Sequence, residues 1–236
     1  MGTRSEALAI DQQPRAVSEK LVSMSAEQRI EWGLSHLPET HAVTTSFGMQ
    51  SAVMLHLVTR VAPRIPVIFI DTGYHFTETY RFLDQLCDRL DLNLHVFSAR
   101  RSAAFQEAIE GRRWEMGADA LSAYNEENKI EPMKRAIADL GIGTWLSGVR
   151  KTQSDAGARA VPLTARWGCA KLHPIHDWTD RDIHQYLHRY GLPYHPLREA
   201  GYVSIGDWHS TYTLADVTEA DETRFLGYFR ECGLHE

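Results

Sequence analysis

The chain has 236 residues, of which 43% are hydrophobic and 24% are charged, and its formal net charge is −6 at pH 7. These proportions are those of an ordinary globular protein of one main domain, so they argue against wholesale disorder and against a fibrous architecture. The acidic charge argues against broad binding of a nucleic acid polymer, and no run approaches the roughly 20 apolar residues of a membrane span.

The N-terminal residues are polar and aperiodic, and they lack the hydrophobic stretch of a signal peptide. We therefore expect a loose segment over residues 1–24 and a cytoplasmic location. The cysteines are Cys87, Cys169 and Cys232, which lie too far apart for a CxxC pair. An odd count of scattered cysteines is more typical of a reducing compartment than of a disulfide framework.

Helical and β-type patterns alternate after this segment. A capping-box pattern from Ser25 to Gln28 predicts a helix that runs toward Leu37. Segments with helical periodicity then separate four short apolar runs of β type. These runs are Ala42–Thr45, Val67–Ile70, Leu94–Phe97 and Trp145–Leu146. The alternation predicts an α/β fold with a doubly wound, mostly parallel sheet, in which ligands bind beyond the carboxyl ends of the strands.

The composition changes in the C-terminal part of the chain. From about Gly191 the sequence is rich in turns and aromatic residues, and an acidic stretch and a closing Arg/Cys/His segment follow. We expect this part to be a covering region or a mobile tail. The predicted division is therefore an α/β domain over residues 25–206 and a tail over residues 207–236.

A loop with phosphate-binding character follows the first predicted strand. It contains Ser46, Phe47, Gly48, Gln50 and Ser51, and an apolar helix comes directly after it. Amides and hydroxyls at the N-terminus of a helix can bind phosphate oxygens. A tight turn with a serine cap would give the same pattern, and the loop lacks the Gly-Lys-Ser of a nucleotide-hydrolysing P-loop.

The second predicted strand ends in a polar turn made of Asp71, Thr72, Gly73 and Tyr74. A carboxylate beside exposed amides can meet a ribose or the edge of an adenine ring. The alternative is a plain Asp/Gly turn that closes the strand. Placement at the carboxyl end of a strand favours the binding hypothesis.

Basic and polar residues gather after the fourth predicted strand. They are Gly148, Arg150, Lys151, Gln153 and Arg159. The planar guanidinium group donates two parallel hydrogen bonds to phosphate oxygens, so this cluster suits a polyanionic nucleotide. A solvated basic loop is the alternative interpretation.

The last residues of the sequence place Cys232 between Arg230 and His235. Nearby cationic groups lower the pKa of a thiol and raise its thiolate fraction, which makes Cys232 a candidate nucleophile. An incidental cysteine is the alternative. Cys87 lies on the apolar face of a helical pattern and Cys169 lies in an apolar run, so both are expected to be structural thiols.

No metal site is predicted. The histidines form no HExxH motif, and Cys169 with His173 and His176 lacks the remaining donors of a closed zinc site.

Six sequence motifs occur together in one order along the chain. They read SFGMQ, DTGYHFTETYRF, NKIEPM, GVRKTQS, YHPL with a following GY, and ECGLHE. In this combination the chain resembles the phosphoadenylyl-sulfate reductases of assimilatory sulfate reduction, and the resemblance extends from about Ser25 to the end. It implies a fold of the adenine-nucleotide α-hydrolase type, in agreement with the alternating pattern.

The resemblance also implies roles for individual residues. Residues 46–51 would bind phosphate and residues 71–74 would border the nucleoside. Four cations would neutralise the phosphosulfate and the 3′-phosphate, and three residues would arrive on the tail. The cations are Lys129, Arg150, Lys151 and Arg159, and the tail residues are Arg224, Cys232 and His235. One departure is Tyr212, which stands where related sequences often have arginine.

A sister group acts on adenylyl sulfate and carries a four-iron cluster held by cysteines. At the corresponding positions this chain has Tyr124, Asn125, Asp207 and Ser210. Three scattered cysteines cannot supply the four thiolates of such a cluster within one subunit. The resemblance therefore favours the 3′-phosphorylated substrate, with no bound cofactor and no iron–sulfur cluster.

The mechanism implied by the resemblance is attack of Cys232 on the sulfonate sulfur, with thioredoxin or glutaredoxin as electron donor. A homodimer is expected on the same ground. The nearest alternative is a cluster-free adenylyl-sulfate reductase. An ATP-dependent adenylating ligase is disfavoured because its loop normally reads SGGxDS, and a nucleotide-sensing protein would not need the terminal thiol. Release of sulfite with thioredoxin would separate a reductase from the sensor and from the ligase, and kinetics with both sulfate nucleotides would separate the two reductases.

Overall fold

The computed structural model describes residues 14–151, residues 161–217 and Thr223. Five residues predicted for the site lie outside the described residues, namely Gln153, Arg159, Arg224, Cys232 and His235.

One six-stranded sheet organises the described chain. Its strands are β1 (His41–Thr45), β2 (Pro66–Asp71), β3 (Asn93–Ser98), β4 (Thr144–Leu146), β5 (Leu163–Arg166) and β6 (Cys169–Leu172). The spatial order is β3-β2-β1-β4-β6-β5. All neighbouring strands are parallel except β5, which pairs antiparallel with β6. The predicted α/β fold with a mostly parallel sheet is confirmed.

Helices cover both faces of the sheet. They are α1 (Pro14–Val22), α2 (Ala26–His36), α3 (Ser51–Val61), α4 (Thr77–Leu90), α5 (Ala103–Glu110), α6 (Ala118–Asn125), α7 (Glu131–Asp139) and α8 (Asp180–Arg189). Successive residues of a strand point to opposite faces. Accordingly Val67 and Phe69 belong to the larger hydrophobic core, whereas Ile68 between them packs in a second core on the other face. Among the described residues, no helix has the length and apolar character of a membrane span.

The N-terminal part of the described chain is more ordered than expected. The capping box at Ser25 is present, and the helix it begins is α2. Helix α1 lies within the segment 1–24 that was predicted to be loose, and Leu21 on it is fully buried in the larger core. A helix of nine residues is marginal in isolation, and burial of this leucine stabilises it.

Strands β5 and β6 were not predicted. Each has four residues, and a tight turn with positive φ at Trp167 and Gly168 joins them. Lys171 interrupts the apolar pattern of β6, although its side chain is 3% exposed and its ammonium lies 5.2 Å from the centre of the Trp145 ring. The two strands extend the sheet beyond β4.

Helices α6 and α7 are joined without a break by a π-helical turn over Glu126–Ile130. A wider turn of this kind shifts the direction in which side chains leave the helix, and such turns are frequent at functional sites. Here the turn buries Asn128 and Lys129, which are 0% and 5% exposed. The side chains of Asn128 and Lys129 are therefore held inside the protein, and Lys129 lines the cleft described below.

Candidate active site

A cleft of about 950 Å³ opens beyond the carboxyl ends of the central strands. It is large enough for a nucleotide. The cleft brings together eight of the predicted site residues, which are Ser46, Gly48, Gln50, Ser51, Thr72, Lys129, Gly148 and Arg150. Phe47, Asp71, Gly73, Tyr74 and Lys151 do not line it.

The loop between β1 and α3 forms one wall of the cleft. Phe47 has a φ of +48°, in the left-handed region that non-glycine residues rarely adopt, and its ring is fully buried edge-on against Phe69. Ser51 donates a hydrogen bond of 3.0 Å from its hydroxyl to the carbonyl of Gly48. Phe47 therefore anchors the loop from below, while Ser46 remains exposed to the cleft.

The N-terminus of helix α3 faces the same space. The helix has 11 residues, and its N-cap residue Gln50 and its first residue Ser51 line the cleft. The Gln50 side chain makes no capping hydrogen bond. Backbone amides and the helix dipole favour an anion at such a position. Phosphate binding by this loop stays a prediction, and the position of the helix N-terminus at the cleft is compatible with it.

Arg150 connects this loop to another element. Its guanidinium donates hydrogen bonds to the Gln50 side chain at 2.7 Å, to Asp180 at 2.9 Å and to the Trp178 carbonyl at 3.2 Å. The residue is 3% exposed. Arg150 thus fixes Gln50 relative to the start of helix α8, and much of its hydrogen-bonding capacity is already used within the protein.

The turn after β2 is closed mainly by its own contacts. The Asp71 carboxylate accepts hydrogen bonds from the Gly73 amide at 2.9 Å and from the Tyr80 hydroxyl at 2.7 Å. Tyr74 is 3% exposed and donates its hydroxyl to the Ala103 carbonyl at 3.2 Å. Thr72 is the member of this turn that lines the cleft.

A buried carboxylate that the sequence did not single out for the site lies at the floor of the cleft. Asp207 is 1% exposed, and its oxygens contact the Lys129 ammonium at 2.8 Å, the Thr72 hydroxyl at 2.6 Å and the Tyr124 hydroxyl at 3.0 Å. The backbone of Asp207 also forms an isolated antiparallel β-bridge with His75. The carboxylate therefore fixes the Lys129 side chain, which is itself 6% exposed.

The charge of Asp207 follows from these contacts. Burial alone would raise the pKa of this carboxyl, but the positive charge of Lys129 and the neighbouring His75 and His209 hold its pKa well below the ordinary value. Asp207 is thus ionised and paired with the lysine across the working pH range. The tail predicted from residue 207 onward accordingly has a firmly anchored first residue.

The positions that would hold a metal cluster in the sister group carry oxygen and nitrogen groups here. Tyr124 and Asp207 are hydrogen-bonded to each other, and the Ser210 hydroxyl donates to the Asp207 carbonyl at 3.2 Å. Within the described ranges, no group of three or more His, Cys, Asp or Glu residues is arranged to hold a metal ion.

The two cysteines of the described chain are poor nucleophiles. Cys169 is buried in β6 and directs its thiol to the Ile142 carbonyl at 3.1 Å, and burial raises its pKa. Burial also raises the pKa of Cys87, with added repulsion from Asp84 and Asp88. Both environments disfavour the thiolate, in accordance with the structural role expected for these residues.

The cleft also contains residues that the sequence did not suggest. Arg198 and the segment 201–206 line its outer wall. Thr223 lines it as well, is 3% exposed, and accepts a hydrogen bond from the Tyr212 amide at 2.9 Å. The sequence did not suggest these residues because they reach the cleft only through contacts between distant parts of the chain. The available signal was the YHPL motif, which ends directly before Arg198.

Comparisons with known proteins agree with this architecture. The model of the phosphoadenosine phosphosulfate reductase domain matches residues 40–213. A phosphoadenosine 5′-phosphosulfate reductase of Sodalis glossinidius is 52% identical over 221 residues, which are 94% of this chain and 91% of that protein. One of Alkalilimnicola ehrlichii is 49% identical over an alignment of 243 positions, gaps included, that covers 100% of this chain and 99% of that protein.

A solved structure supports the same assignment. The phosphoadenylyl-sulfate reductase from Candida auris, crystallised as a phosphate complex, superposes with a TM-score of 0.73 at 29% identity, and the match covers 84% of this chain and 95% of that one. The adenine-nucleotide α-hydrolase type of fold is confirmed with it. On the match of the family model and of these relatives, the chain belongs to the phosphoadenosine phosphosulfate reductase family.

Proposed function

We propose that this protein reduces 3′-phosphoadenylyl sulfate to sulfite and adenosine 3′,5′-bisphosphate in sulfate assimilation. The observation that carries the proposal is the cleft itself. In a chain of this family, the cleft combines a helix N-terminus and a hydroxyl-bearing loop with buried cations at the carboxyl ends of parallel strands. The homodimer in this proposal rests on family resemblance, and the cytoplasmic location rests on the sequence.

The substrate has an anionic phosphosulfate at one end, which fits the wall formed by residues 46–51. The amides of this loop and the N-terminus of α3 would bind the phosphate oxygens. Lys129 lies on the cleft floor, where its charge would offset the repulsion between the sulfonate and an approaching thiolate. By resemblance to the family, Arg159 and Arg224 would also neutralise the substrate. Lys151 and Gln153 belong to the basic loop that contains Arg150.

The nucleophile in this proposal is Cys232. Thr223 lines the cleft, and the nine residues after it end at Cys232. Nine fully extended residues span at most about 30 Å, which sets the upper limit on the distance from Thr223 to Cys232 along the chain. His235 and Arg230 would lower the pKa of the thiol, whereas the environments of Cys87 and Cys169 act in the opposite direction.

The reaction divides into two steps. The Cys232 thiolate forms a bond to the sulfonate sulfur while the bond from that sulfur to the phosphate oxygen breaks, which leaves a cysteine S-sulfonate and releases adenosine 3′,5′-bisphosphate. A thiolate of a dithiol protein, thioredoxin or glutaredoxin, then attacks the Cys232 sulfur and expels sulfite. The second thiol of the donor resolves the mixed disulfide, so the donor loses two electrons and Cys232 returns as a thiol.

Steady-state kinetics with both sulfate nucleotides test the proposal. With reduced thioredoxin, we expect kcat/KM for phosphoadenylyl sulfate to exceed that for adenylyl sulfate by roughly 100-fold, because the 3′-phosphate supplies charged contacts. The same preparation should contain no stoichiometric iron. Equal rates with the two nucleotides, or about four irons per chain, would contradict the assignment, and a requirement for ATP would indicate a ligase.

A further inference from the structure

Arg198 lies on the outer wall of the cleft, and its guanidinium group stacks on the Tyr194 ring. It ends the short 3₁₀ turn Pro196–Arg198, and its guanidinium carbon lies 3.6 Å from the centre of the Tyr194 ring. The Tyr194 hydroxyl is in turn 3.0 Å from Nδ1 of His184. A stacked guanidinium loses little further freedom when it binds an anion, because the ring already restricts its plane.

The turn that carries Arg198 is attached directly to the phosphate-binding loop. The His195 amide donates to the Met49 carbonyl at 3.2 Å. The His195 ring is 1% exposed, and burial lowers its pKa to about 4, so the ring is neutral near pH 7. Its Nδ1 accepts a hydrogen bond from the Leu197 amide at 3.2 Å, which leaves the proton on Nε2, 3.1 Å from the Thr79 hydroxyl.

In the described part of the chain, the other two lysine and arginine residues that line the cleft are paired within the protein. Lys129 contacts Asp207 at 2.8 Å and Arg150 contacts Asp180 at 2.9 Å. Arg198 forms no salt bridge with any carboxylate of the described ranges, although it lines the same cleft. An anionic ligand gains most from a cation whose charge is not already balanced.

We propose that Arg198 binds the 3′-phosphate of the nucleotide and thereby selects 3′-phosphorylated substrates. The inference rests on the proposed function, in which residues 46–51 and the N-terminus of α3 bind the phosphosulfate on the 5′ oxygen. The 3′ and 5′ oxygens leave the ribose in different directions. Arg198 lines the same cleft as that loop but belongs to a different element, and its turn follows His195, which contacts Met49 of the loop. Its two parallel N–H donors match a phosphate dianion.

Calorimetric binding of two product-like nucleotides tests this role without chemistry. Arg198→Ala should lower the affinity for adenosine 3′,5′-bisphosphate at least about tenfold, as expected for loss of a charge-assisted contact. The affinity for adenosine 5′-monophosphate should stay within about twofold of wild type. The affinity of Arg198→Lys for adenosine 3′,5′-bisphosphate should lie between those of wild type and Arg198→Ala, because lysine keeps the charge but lacks the two parallel N–H donors of the guanidinium. Arg189→Ala is the matched control, since Arg189 is exposed and lies 5.4 Å from the Tyr190 ring but does not line the cleft.

The outcomes separate the inference from the function it extends. Equal weakening of both nucleotides would place Arg198 on the 5′ side and overturn the assignment. Unchanged affinity for both, or a tenfold loss in Arg189→Ala as well, would overturn it too. If wild-type protein binds adenosine 3′,5′-bisphosphate but makes no sulfite, the proposed reaction fails while the comparison of the two nucleotides still decides the role of Arg198.

Discussion

Cys232→Ser is expected to lower the rate of sulfite formation by roughly 1,000-fold or more while leaving the affinity for adenosine 3′,5′-bisphosphate within about threefold of wild type. A serine hydroxyl at neutral pH supplies almost none of the nucleophilic anion that a thiol supplies. Nucleotide affinity is expected to depend on the cleft residues, which the substitution leaves unchanged. Sulfite release with reduced thioredoxin and calorimetric binding measure the two effects separately.

Cys87→Ala and Cys169→Ala are the matched controls, because their thiols lie in environments that raise the pKa. Both should retain the chemical step to within about threefold once folding has been verified by thermal unfolding. Cys169 is buried, so its replacement is expected to cost some stability. A well-folded Cys169→Ala protein without activity would contradict the assignment of Cys232 as the sole reacting thiol.

Asp207→Asn is expected to have the second large effect, on both stability and turnover. The substitution removes the negative charge beside the Lys129 ammonium and leaves that cation buried without it. Breaking a buried pair in this way lowers the free energy of unfolding by about 3–5 kcal/mol. We also expect kcat/KM to fall roughly 100-fold, since Lys129 would leave its position on the cleft floor. Urea unfolding and sulfite release measure the two losses.

A double variant distinguishes the structural part of this effect from the functional part. Lys129→Met combined with Asp207→Asn removes both charges, so much of the lost stability should return. Activity should not return, because the cation that screens the sulfonate is gone. Recovery of activity together with stability would show that Lys129 has no part in the reaction. Tyr124→Phe removes one hydrogen bond to Asp207 and should cost only about 1 kcal/mol.

Much of the fold could be predicted from the sequence because its signals are local. The apolar runs of the first four strands and the capping box at Ser25 each lie within a few residues, and the structure confirms both. Strands β5 and β6 escaped prediction because each is four residues long and carries a basic residue. Helix α1 escaped because its order depends on burial of Leu21 against distant parts of the core.

The residues of the candidate site could be predicted where they follow the carboxyl end of a strand in the sequence. The loop at residues 46–51 and the residues Thr72 and Arg150 come directly after strands, and the cleft brings them together. Asp207 was not predicted, since its partner Thr72 is 135 residues away in sequence. Asp71 and Tyr74 were predicted for the site because of their position at the end of a strand. In the structure their side chains close the turn and do not line the cleft. Their contact with the nucleoside remains a prediction.

Intact-mass spectrometry of the enzyme after a single turnover tests the central claim most directly. Enzyme mixed with phosphoadenylyl sulfate in the absence of reductant should release one equivalent of adenosine 3′,5′-bisphosphate and gain about 80 Da, the mass of one SO₃ group, on the peptide that contains Cys232. Reduced thioredoxin should remove the adduct as sulfite. An adduct on Cys87 or Cys169, or continued turnover by a variant that lacks Cys232, would contradict the account.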